Sequence, residues 1–363
     1  HGKEFEKEFS NKINVKYSIA LANGTLALEL ALKALNIKQG DEVIVTPRSF
    51  IASVSCVVST GAKPIFADVD KDSGNITARS IAKVISSKTK AIICVHLAGW
   101  PCEMDAIMEL ARRNKILVIE DCAQAHGAKY KGKSVGSIGD IGAWSFCQDK
   151  IMTTGGEGGM VTTNNKEMWE FMRSCKDHGK DFNAIEAENK TNSFKWVHNS
   201  FGTNSRMTEM QAVIGRIQLK KIDRWSYKRN KNATELKSIC DKFPALLRTP
   251  VCNKNLTHAY YKFYTYIKPE GLKEGWTREG IIFEFLKSGI PCFQGSCPEI
   301  YIESAFNKTG YRPKKRLKFA KELGETSIMF QIHPTLRKAD IAITKKVMEN
   351  IFQKASMYYF KYA

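Results

Sequence analysis

Apolar positions in the first half of the chain switch repeatedly between the spacing of an amphipathic helix and the short unbroken runs of a buried strand. The stretch "TLALELALKALNI" from Thr25 predicts a helix, "EVIVT" a strand, "IASVSCVVSTGA" a helix and "KPIFADVD" a strand. A helix from about Thr77, a strand "AIICVHL", a helix "MDAIMELARRN" and a strand "ILVIED" continue the series. Such alternation builds a largely parallel sheet covered on both faces, so we predict an α/β fold.

The pattern changes in the second half. Two short strands, "GAWSF" and "GGMVTTN", precede a helix "TEMQAVIGRIQLKKI" and a long polar helix "DRWSYKRNKNATELKSIC", which we interpret as the bridge out of a large domain. An aromatic strand "HAYYKFYTYI", a helix "TREGIIFEFLKSG" and a closing helix from about Lys338 follow. We therefore predict a large domain over residues 1–243 and a small α+β domain over residues 244–363, with the boundary near Pro244.

The composition is that of an ordinary globular protein, because 43% of the 363 residues are hydrophobic. The formal charge of +19 comes from lysines scattered over nearly every element, so we predict no nucleic-acid partner. Ten cysteines without a C-x-x-C pair are typical of the reducing cytosol and indicate neither a disulfide scaffold nor a metal site. The sequence contains no signal peptide and no long apolar span, so we predict no membrane insertion. The chain begins at His1 rather than at a methionine, so we expect a natural segment before it.

One stretch, "GAKYKGKS" from Gly127 to Ser134, matches the phosphate-binding P-loop pattern G-x-x-x-x-G-K-[ST]. A P-loop also needs a helix that opens at its Lys-Ser, because the amides of that helix hold the phosphates. The following residues, "VGSIGDIGAWSF", have no helical spacing of apolar positions. We therefore predict a hairpin that turns at Gly132, and a P-loop NTPase stays a second hypothesis.

Two polar residues lie where ligands bind in open α/β sheets, at the carboxyl ends of strands. Asp121 ends the apolar run "ILVIED", where an unpaired carboxylate would be costly, although a helix cap explains it equally well. Lys150 follows "AWSF" among small residues and could form a Schiff base, although a solvated lysine is the simpler interpretation of that residue alone. Their combination with "NGT" at the first helix, Phe50 and Ser145 indicates one site.

Several stretches carry a resemblance to a known family: "ANGTLALELAL", "PRSFIASV", "EDCAQAHGAKYKGKSVGSIGDIGAWSFCQDK", "GGEGGMVTTN" and "FGTNSRMTEMQAVIGRIQL". In order and spacing they resemble the pyridoxal-phosphate-dependent sugar aminotransferases of the DegT/DnrJ/StrS family, from about Gly2 to beyond His333. The resemblance implies a fold-type I transferase with a three-layer α/β/α large domain and a smaller C-terminal domain. It also implies that the P-loop match is the family's hairpin.

The resemblance assigns four residues to the ring of pyridoxal 5′-phosphate. Lys150 would hold the cofactor as an internal aldimine and later shuttle the proton between its C4′ and the substrate carbon. Asp121 would pair with the pyridinium nitrogen and keep the ring an electron sink. Phe50 would stack on one face, and Gln124 would lie near the other face or the 3-hydroxyl.

The resemblance assigns four further residues to the cofactor phosphate. Gly24 and Thr25 would hold it at a helix N-terminus, together with the Ser145 hydroxyl. Asn204 would reach over from a second subunit, so the resemblance implies a homodimer with shared active sites. Taken singly, Thr25 is explained as an N-cap, Phe50 as a core aromatic, Ser145 as a buried hydroxyl and Asn204 as a turn residue.

The resemblance also bears on the substrate. Some related enzymes are dehydratases with histidine in place of the lysine, so Lys150 indicates transamination. Where many members have His-Tyr-Pro in the small domain, this chain has "PCFQGSCPEIY", and the loop "KIMTTGGEGG" mixes features of members that act at different sugar carbons. Substrate contacts there and the aminated carbon therefore stay open. His178 and Arg206 are further candidates for substrate contact, although solvated loop positions explain them almost as well.

We therefore expect a cytoplasmic homodimeric aminotransferase that moves an amino group from glutamate to a keto sugar attached to a nucleotide. Its product would enter a surface polysaccharide, such as an O-antigen, or a glycosylated metabolite. A nearer alternative is a family member that acts on a free cyclitol or another cyclic ketone. The distant alternatives are the P-loop NTPase and a basic nucleic-acid-binding protein.

Overall fold

The structure is a computed structural model that describes residues 1–187 and 196–357. Its α-helices are α1 (Gly2–Ile13), α2 (Gly24–Ala34), α3 (Ala52–Ser59), α4 (Ala78–Ala82), α5 (Met104–Arg113), α6 (Lys166–Cys175), α7 (Phe182–Ala187), α8 (Glu209–Leu219), α9 (Ile222–Cys240), α10 (Arg278–Lys287), α11 (Lys318–Thr326) and α12 (Lys338–Ala355). Short 3₁₀ helices cover Leu97–Gly99, Pro269–Gly271, Ile300–Ile302 and Ser304–Phe306. Within the described ranges, no helix combines the length and the apolar character that crossing a bilayer requires.

The strands are β1 (Tyr17–Leu21), β2 (Glu42–Val45), β3 (Lys63–Phe66), β4 (Thr89–Val95), β5 (Leu117–Asp121), β6 (Lys129–Tyr130), β7 (Lys133–Ser134), β8 (Ile141–Ser145), β9 (Gly159–Thr163), β10 (Leu247–Arg248), β11 (Leu256–Thr257), β12 (Phe263–Ile267), β13 (Cys292–Phe293) and β14 (Ser327–Phe330). Seven of them form the central sheet in the order β1-β9-β8-β5-β4-β2-β3. The run from β8 through β5, β4 and β2 to β3 is parallel, whereas β9 pairs antiparallel with both β8 and β1.

Both faces of the central sheet are buried. Along β2, Val43 and Val45 point into the cluster that contains the apolar residues of α2 and α3, whereas Ile44 points into the cluster beneath α5. Because side chains alternate across a strand, an unbroken apolar run such as this one requires cover on both faces. The predicted α/β fold and its three layers are therefore confirmed.

A second sheet lies in the C-terminal part of the chain. Its strands run in the order β10-β12-β14-β13, and every neighbouring pair is antiparallel. Apolar residues of α9, α10 and α12 pack on it in one cluster, with Phe243, Phe285 and Phe352 fully buried. The boundary near Pro244 lies between α9 and β10 and stays a prediction.

The predicted aromatic strand "HAYYKFYTYI" is wrong in its first half. Regular pairing starts only at Phe263, where β12 begins. The preceding residues leave the sheet at Tyr260, whose φ of 47° lies in the left-handed region. The helix predicted from about Thr77 is likewise shorter than expected, because α4 ends at Ala82.

The stretch that matches the P-loop pattern forms a hairpin. Strands β6 and β7 pair antiparallel, with Lys129 opposite Ser134 and Tyr130 opposite Lys133. The two turn residues, Lys131 and Gly132, have φ values of 47° and 80°, as a type I′ turn requires. Residues 135–140 form no helix, and the next regular element is β8. The predicted hairpin is confirmed, and the P-loop hypothesis is wrong because no helix N-terminus follows Ser134.

Candidate active site

A cavity of about 790 Å³ lies at the carboxyl ends of β5 and β8, beside the N-terminus of α2. This is the edge of a parallel sheet where neighbouring strands present their last side chains together. Of the eight residues predicted to contact the cofactor, those that line the cavity are Gly24, Thr25, Phe50, Asp121, Gln124, Ser145 and Lys150. The fold thus brings together residues that stand far apart in the sequence.

Asp121 is the last residue of β5 and is only 4% exposed. Its Oδ1 accepts a hydrogen bond from the Ala123 amide at 3.1 Å, and its Oδ2 accepts one from the Ser53 hydroxyl at 2.8 Å. Burial raises the pKa of Asp121 above its ordinary value, although both hydrogen bonds and the charge of Lys150 act against that shift. A buried carboxylate that faces a cavity under these conditions is suited to a cationic partner.

The N-terminus of α2 and the end of β8 form a second part of the cavity. The Asn23 side chain caps α2 by accepting from the Leu26 amide at 2.9 Å, and Gly24 and Thr25 are the first helical residues. A Cβ atom on Gly24 would lie 2.6 Å from the Cβ of Ser145, so only glycine lets the helix approach β8 this closely. Helix amides and a hydroxyl that converge in this way suit an anion such as a phosphate.

The wall between these two parts carries Lys150, Gln124 and Phe50. The Lys150 Nζ lies 3.3 Å from Asp149 Oδ1, and its side chain is largely buried. The Gln124 Oε1 accepts a hydrogen bond from the Ala98 amide at 2.8 Å. Phe50 lines the cavity although 67% of its surface is exposed, so its ring is available to a ligand.

This donor set fits pyridoxal 5′-phosphate. A primary amine can bond its aldehyde carbon, the Asp121 carboxylate suits its ring nitrogen, and the amides at the start of α2 with Ser145 suit its phosphate. Burial of the Asp121 carboxylate is unfavourable without a cationic partner, and such a ligand would supply one.

Asn204 lies apart from this cavity in its own chain. It pairs with Asp177 in an isolated β-bridge, and its Oδ1 accepts from the Arg206 Nε at 3.0 Å. Arg206 also forms an ion pair with Asp177 at 3.2 Å, and His178 adjoins them with a φ of 61°. None of Asn204, His178 and Arg206 lines the cavity.

The sequence matches a known family along nearly its whole length. A sequence model described as the DegT/DnrJ/EryC1/StrS aminotransferase family matches residues 1–351. The chain belongs to this family. It is 55% identical to an aminotransferase from Psychrobacter cryohalolentis whose crystal structure superposes with a TM-score of 0.96, over 97% of this chain and 91% of that one.

Two curated relatives of this aminotransferase have assigned activities. A GDP-perosamine synthase of Caulobacter vibrioides is 37% identical over 93% of this chain and 86% of its own length. A dTDP-3-amino-3,6-dideoxy-alpha-D-galactopyranose transaminase of Aneurinibacillus thermoaerophilus is 37% identical over 79% of this chain and 76% of its own length. The predicted family, fold type, aminotransferase activity and pyridoxal phosphate dependence are therefore confirmed.

Sequence reasoning missed several residues of the aminotransferase that line or support the cavity. Ser53 holds the Asp121 carboxylate, Asp149 adjoins Lys150, and the Tyr261 hydroxyl donates a hydrogen bond to Asp149. For Ser53, the run "PRSFIASV" was available as a signal, since Ser53 lies one helical turn after Ser49. No local pattern distinguishes Tyr261 from the other aromatic residues around it.

A second buried cluster of metal-ligand types, His96, Glu120 and Cys122, lies on the opposite side of β5 from the cavity. Glu120 accepts hydrogen bonds from the amides of Gly136, Ile138 and Gly139 and lies 3.0 Å from His96 Nε2. The other histidine nitrogen accepts from the Cys102 amide at 3.0 Å.

Burial acts to raise the pKa of Glu120, but the bonds from His96 and the backbone outweigh it and hold that pKa below its usual range. Both His96 and Glu120 are thus bonded to other protein groups. The two residues therefore fix the loop after β7 to the sheet.

Proposed function

We propose that this aminotransferase transfers an amino group from glutamate to the keto group of a sugar linked to a nucleotide. The observation that carries the proposal is the cavity that brings an amine, a buried carboxylate and a helix N-terminus together. The names of the two curated relatives support a nucleotide-linked substrate, since one carries GDP and the other dTDP. A cavity of about 790 Å³ has room for the cofactor and a sugar ring.

The residues of the cavity take the following roles in this proposal. When bound, pyridoxal phosphate supplies an electron sink for the substrate carbon. Lys150 would hold the cofactor through its aldehyde carbon, and its amine would be the group that moves a proton to or from the substrate carbon. Asp121 would hold the ring nitrogen in its protonated form, and the Phe50 and Gln124 side chains would orient the ring. Gly24, Thr25 and Ser145 would hold the phosphate.

A substrate panel tests the proposal. The protein with pyridoxal phosphate and glutamate is offered 3-keto and 4-keto sugars linked to GDP, UDP or dTDP, and 2-oxoglutarate and aminated product are measured. We expect amination of one nucleotide-linked sugar class, because binding of the nucleotide positions the keto group for reaction. A free keto sugar and a cyclic ketone serve as controls, and amination of either with equal efficiency would contradict the requirement for a nucleotide.

We also propose a homodimer in which Asn204 of each chain serves the partner's cavity. Helix α8 supports it, since Met210 is 77% exposed and Ile217 is 51% exposed, and Phe201, eight residues before the helix begins, is fully exposed. Exposed apolar side chains grouped in this way are typical of a protein interface. The helix adjoins the cavity, because Gln211 donates a hydrogen bond to the Glu157 carbonyl at 2.9 Å and Glu157 lines the cavity.

Subunit mixing tests the shared site. Asn204→Asp places a charge beside the phosphate, a repulsion of about 4 kcal/mol at an effective dielectric of ~20, so this homodimer should bind cofactor poorly. Mixed with Lys150→Ala under conditions that exchange subunits, it should regain activity, since one site of each mixed dimer then combines an intact Lys150 with an intact Asn204. Exchange is verified by native mass spectrometry. Asn204 would serve its own chain if verified mixed dimers stayed inactive.

The place of the reaction is a further part of the proposal. The ten cysteines are all free thiols, which supports a reducing compartment such as the cytoplasm. A nucleotide is a good leaving group for glycosyl transfer, so the aminated sugar is suited to incorporation into a surface polysaccharide such as an O-antigen. Detection of the aminated sugar in surface polysaccharide, and its loss on deletion of the gene, would test this step.

A further inference from the structure

Two non-glycine residues with left-handed backbone lie in neighbouring turns, next to Tyr261, which lines the cavity. Ala98 has a φ of 55° and Tyr260 a φ of 47°. The two turns are joined by hydrogen bonds from the Ala259 amide to the Gly99 carbonyl at 2.9 Å and from the Tyr261 amide to the Ala98 carbonyl at 2.8 Å. Backbone strain of this kind persists only where the surroundings enforce it, and it is concentrated at functional sites.

The strained turn is fixed from the other side by Arg229 of α9. This arginine is 2% exposed, and its Nη1 donates to the carbonyls of Tyr260 at 3.1 Å and Tyr261 at 3.3 Å. The His258 Nδ1 accepts from the Tyr260 amide at 2.8 Å, and the two rings stack with centroids 3.9 Å apart. The consequence of these contacts is that the Tyr261 side chain enters the cavity wall.

Tyr261 reaches the residue next to the amine. Its hydroxyl donates a hydrogen bond to Asp149 Oδ2, while Asp149 Oδ1 lies 3.3 Å from Lys150 Nζ. The same Nζ lies 5.4 Å from the centroid of the Tyr261 ring, within range of a cation–π contact. Burial acts to raise the pKa of Asp149, but the Tyr261 hydroxyl and the charge of Lys150 outweigh it and hold that pKa below its usual range. Asp149 is therefore an anion at neutral pH.

Three other titratable groups face Lys150. The negative charge of Asp121 attracts the Lys150 amine, whereas the positive charge of Lys262, which also lines the cavity, repels it. Burial lowers the pKa of His126 to about 3, so its ring is neutral in the working range of pH. Among the five groups around this amine, Asp149 is the carboxylate in direct contact with it.

We propose that Asp149, held in place by Tyr261, is the counter-ion of the Lys150 amine. Asp149 and Tyr261 are then positioning residues for that amine. This inference rests on the proposed role of Lys150.

The first test follows the visible absorbance of the full chain with pyridoxal phosphate as a function of pH. Removing the Asp149 charge disfavours the protonated nitrogen, so Asp149→Asn should lower the midpoint of the titration by about one pH unit or more. Tyr261→Phe lets the half-exposed Asp149 side chain turn to solvent and should lower the midpoint by less. Combined with Asp149→Asn, Tyr261→Phe should shift the midpoint no further than Asp149→Asn does alone, because the carboxylate that Tyr261 orients is gone.

Two controls separate this role from loss of structure. Asp149→Glu restores the charge and should move the midpoint back toward that of the unaltered chain. Tyr130→Phe removes another tyrosine hydroxyl that contacts a carboxylate, at Glu103, but it lies in the hairpin outside the cavity, so the midpoint should not change. An unchanged midpoint in Asp149→Asn, or equal shifts in Tyr261→Phe and Tyr130→Phe, would overturn the proposal.

The second test needs no cofactor. Reductive ¹³C-methylation of lysines in the full chain and an NMR titration, with the Lys150 signal assigned by its loss in Lys150→Arg, report the protonation of Lys150 itself. We expect its midpoint to fall in Asp149→Asn by about one pH unit or more, and an unchanged midpoint would overturn the inference. If the unaltered chain gave no visible band with pyridoxal phosphate, the proposed function would fail while this titration still decided the role of Asp149.

Discussion

Lys150→Ala should abolish both the visible absorbance of bound pyridoxal phosphate and amino transfer. The change removes the amine that we propose bonds the cofactor, so we expect a loss of more than about 1,000-fold in turnover, or ~4 kcal/mol in the barrier. The fold should survive, because this side chain lines the cavity and its ion pair is with the half-exposed Asp149. Absorbance spectra, turnover and thermal unfolding are measured on the same preparation.

Lys150→Arg is the matched control. It keeps a positive charge beside Asp149 and cannot form a Schiff base, so it should lose the visible band as completely as Lys150→Ala does. A variant of either kind that kept normal turnover would remove Lys150 from the mechanism. Loss of activity accompanied by unfolding would instead show that Lys150 is needed for the fold.

The central sheet could be predicted from the sequence because its strands are unusually regular. β2, β4 and β5 are largely apolar runs separated by helices, and the structure places them side by side in parallel. Helix α1 carries an equally clear signal, since Phe5, Phe9 and Ile13 recur at helical spacing and are all buried. The short strands of the second sheet had no such signal, because β10 and β13 are two residues long.

The aromatic run before β12 shows why a local pattern can mislead. Its composition favours a strand, but Arg229 and Gly99 bind its backbone and turn it away from the sheet at Tyr260. These contacts come from distant parts of the chain, so no window of local sequence contains them. Tyr261 and Asp149 are likewise far apart in the sequence, so local sequence does not predict their hydrogen bond.

The cavity residues were predictable to different degrees. Asp121 ends one strand and Lys150 follows another, and the rule that ligands bind at strand ends indicates both as site residues. Phe50 and Gln124 have no chemistry that indicates a site, and only the resemblance to a family assigned them. Ser53 acts through Asp121, and such supporting roles become visible only when side-chain distances are known.

Asp121→Asn should lower amino transfer by at least about 100-fold, or ~2.7 kcal/mol, while some cofactor still binds. An uncharged amide cannot stabilise a protonated ring nitrogen, so the ring becomes a weaker electron sink. The effect on structure should be small, because the amide oxygen of asparagine can still accept from the Ala123 amide or the Ser53 hydroxyl. Turnover, the affinity for pyridoxal phosphate and thermal unfolding separate these contributions.

The control for this change is Asp140→Asn. Asp140 lies just before β8, at the opposite edge of the same sheet, and burial raises its pKa as it does that of Asp121. Its Oδ2 accepts from the Val118 amide at 2.7 Å, and it does not line the cavity. Asp140→Asn should therefore leave turnover within a few-fold of the unaltered chain.

A loss below about tenfold in Asp121→Asn, or ~1.4 kcal/mol, would mean that Asp121 serves only to cap the turn after β5. Equal losses in the two variants would point to a general cost of changing a buried carboxylate in this sheet.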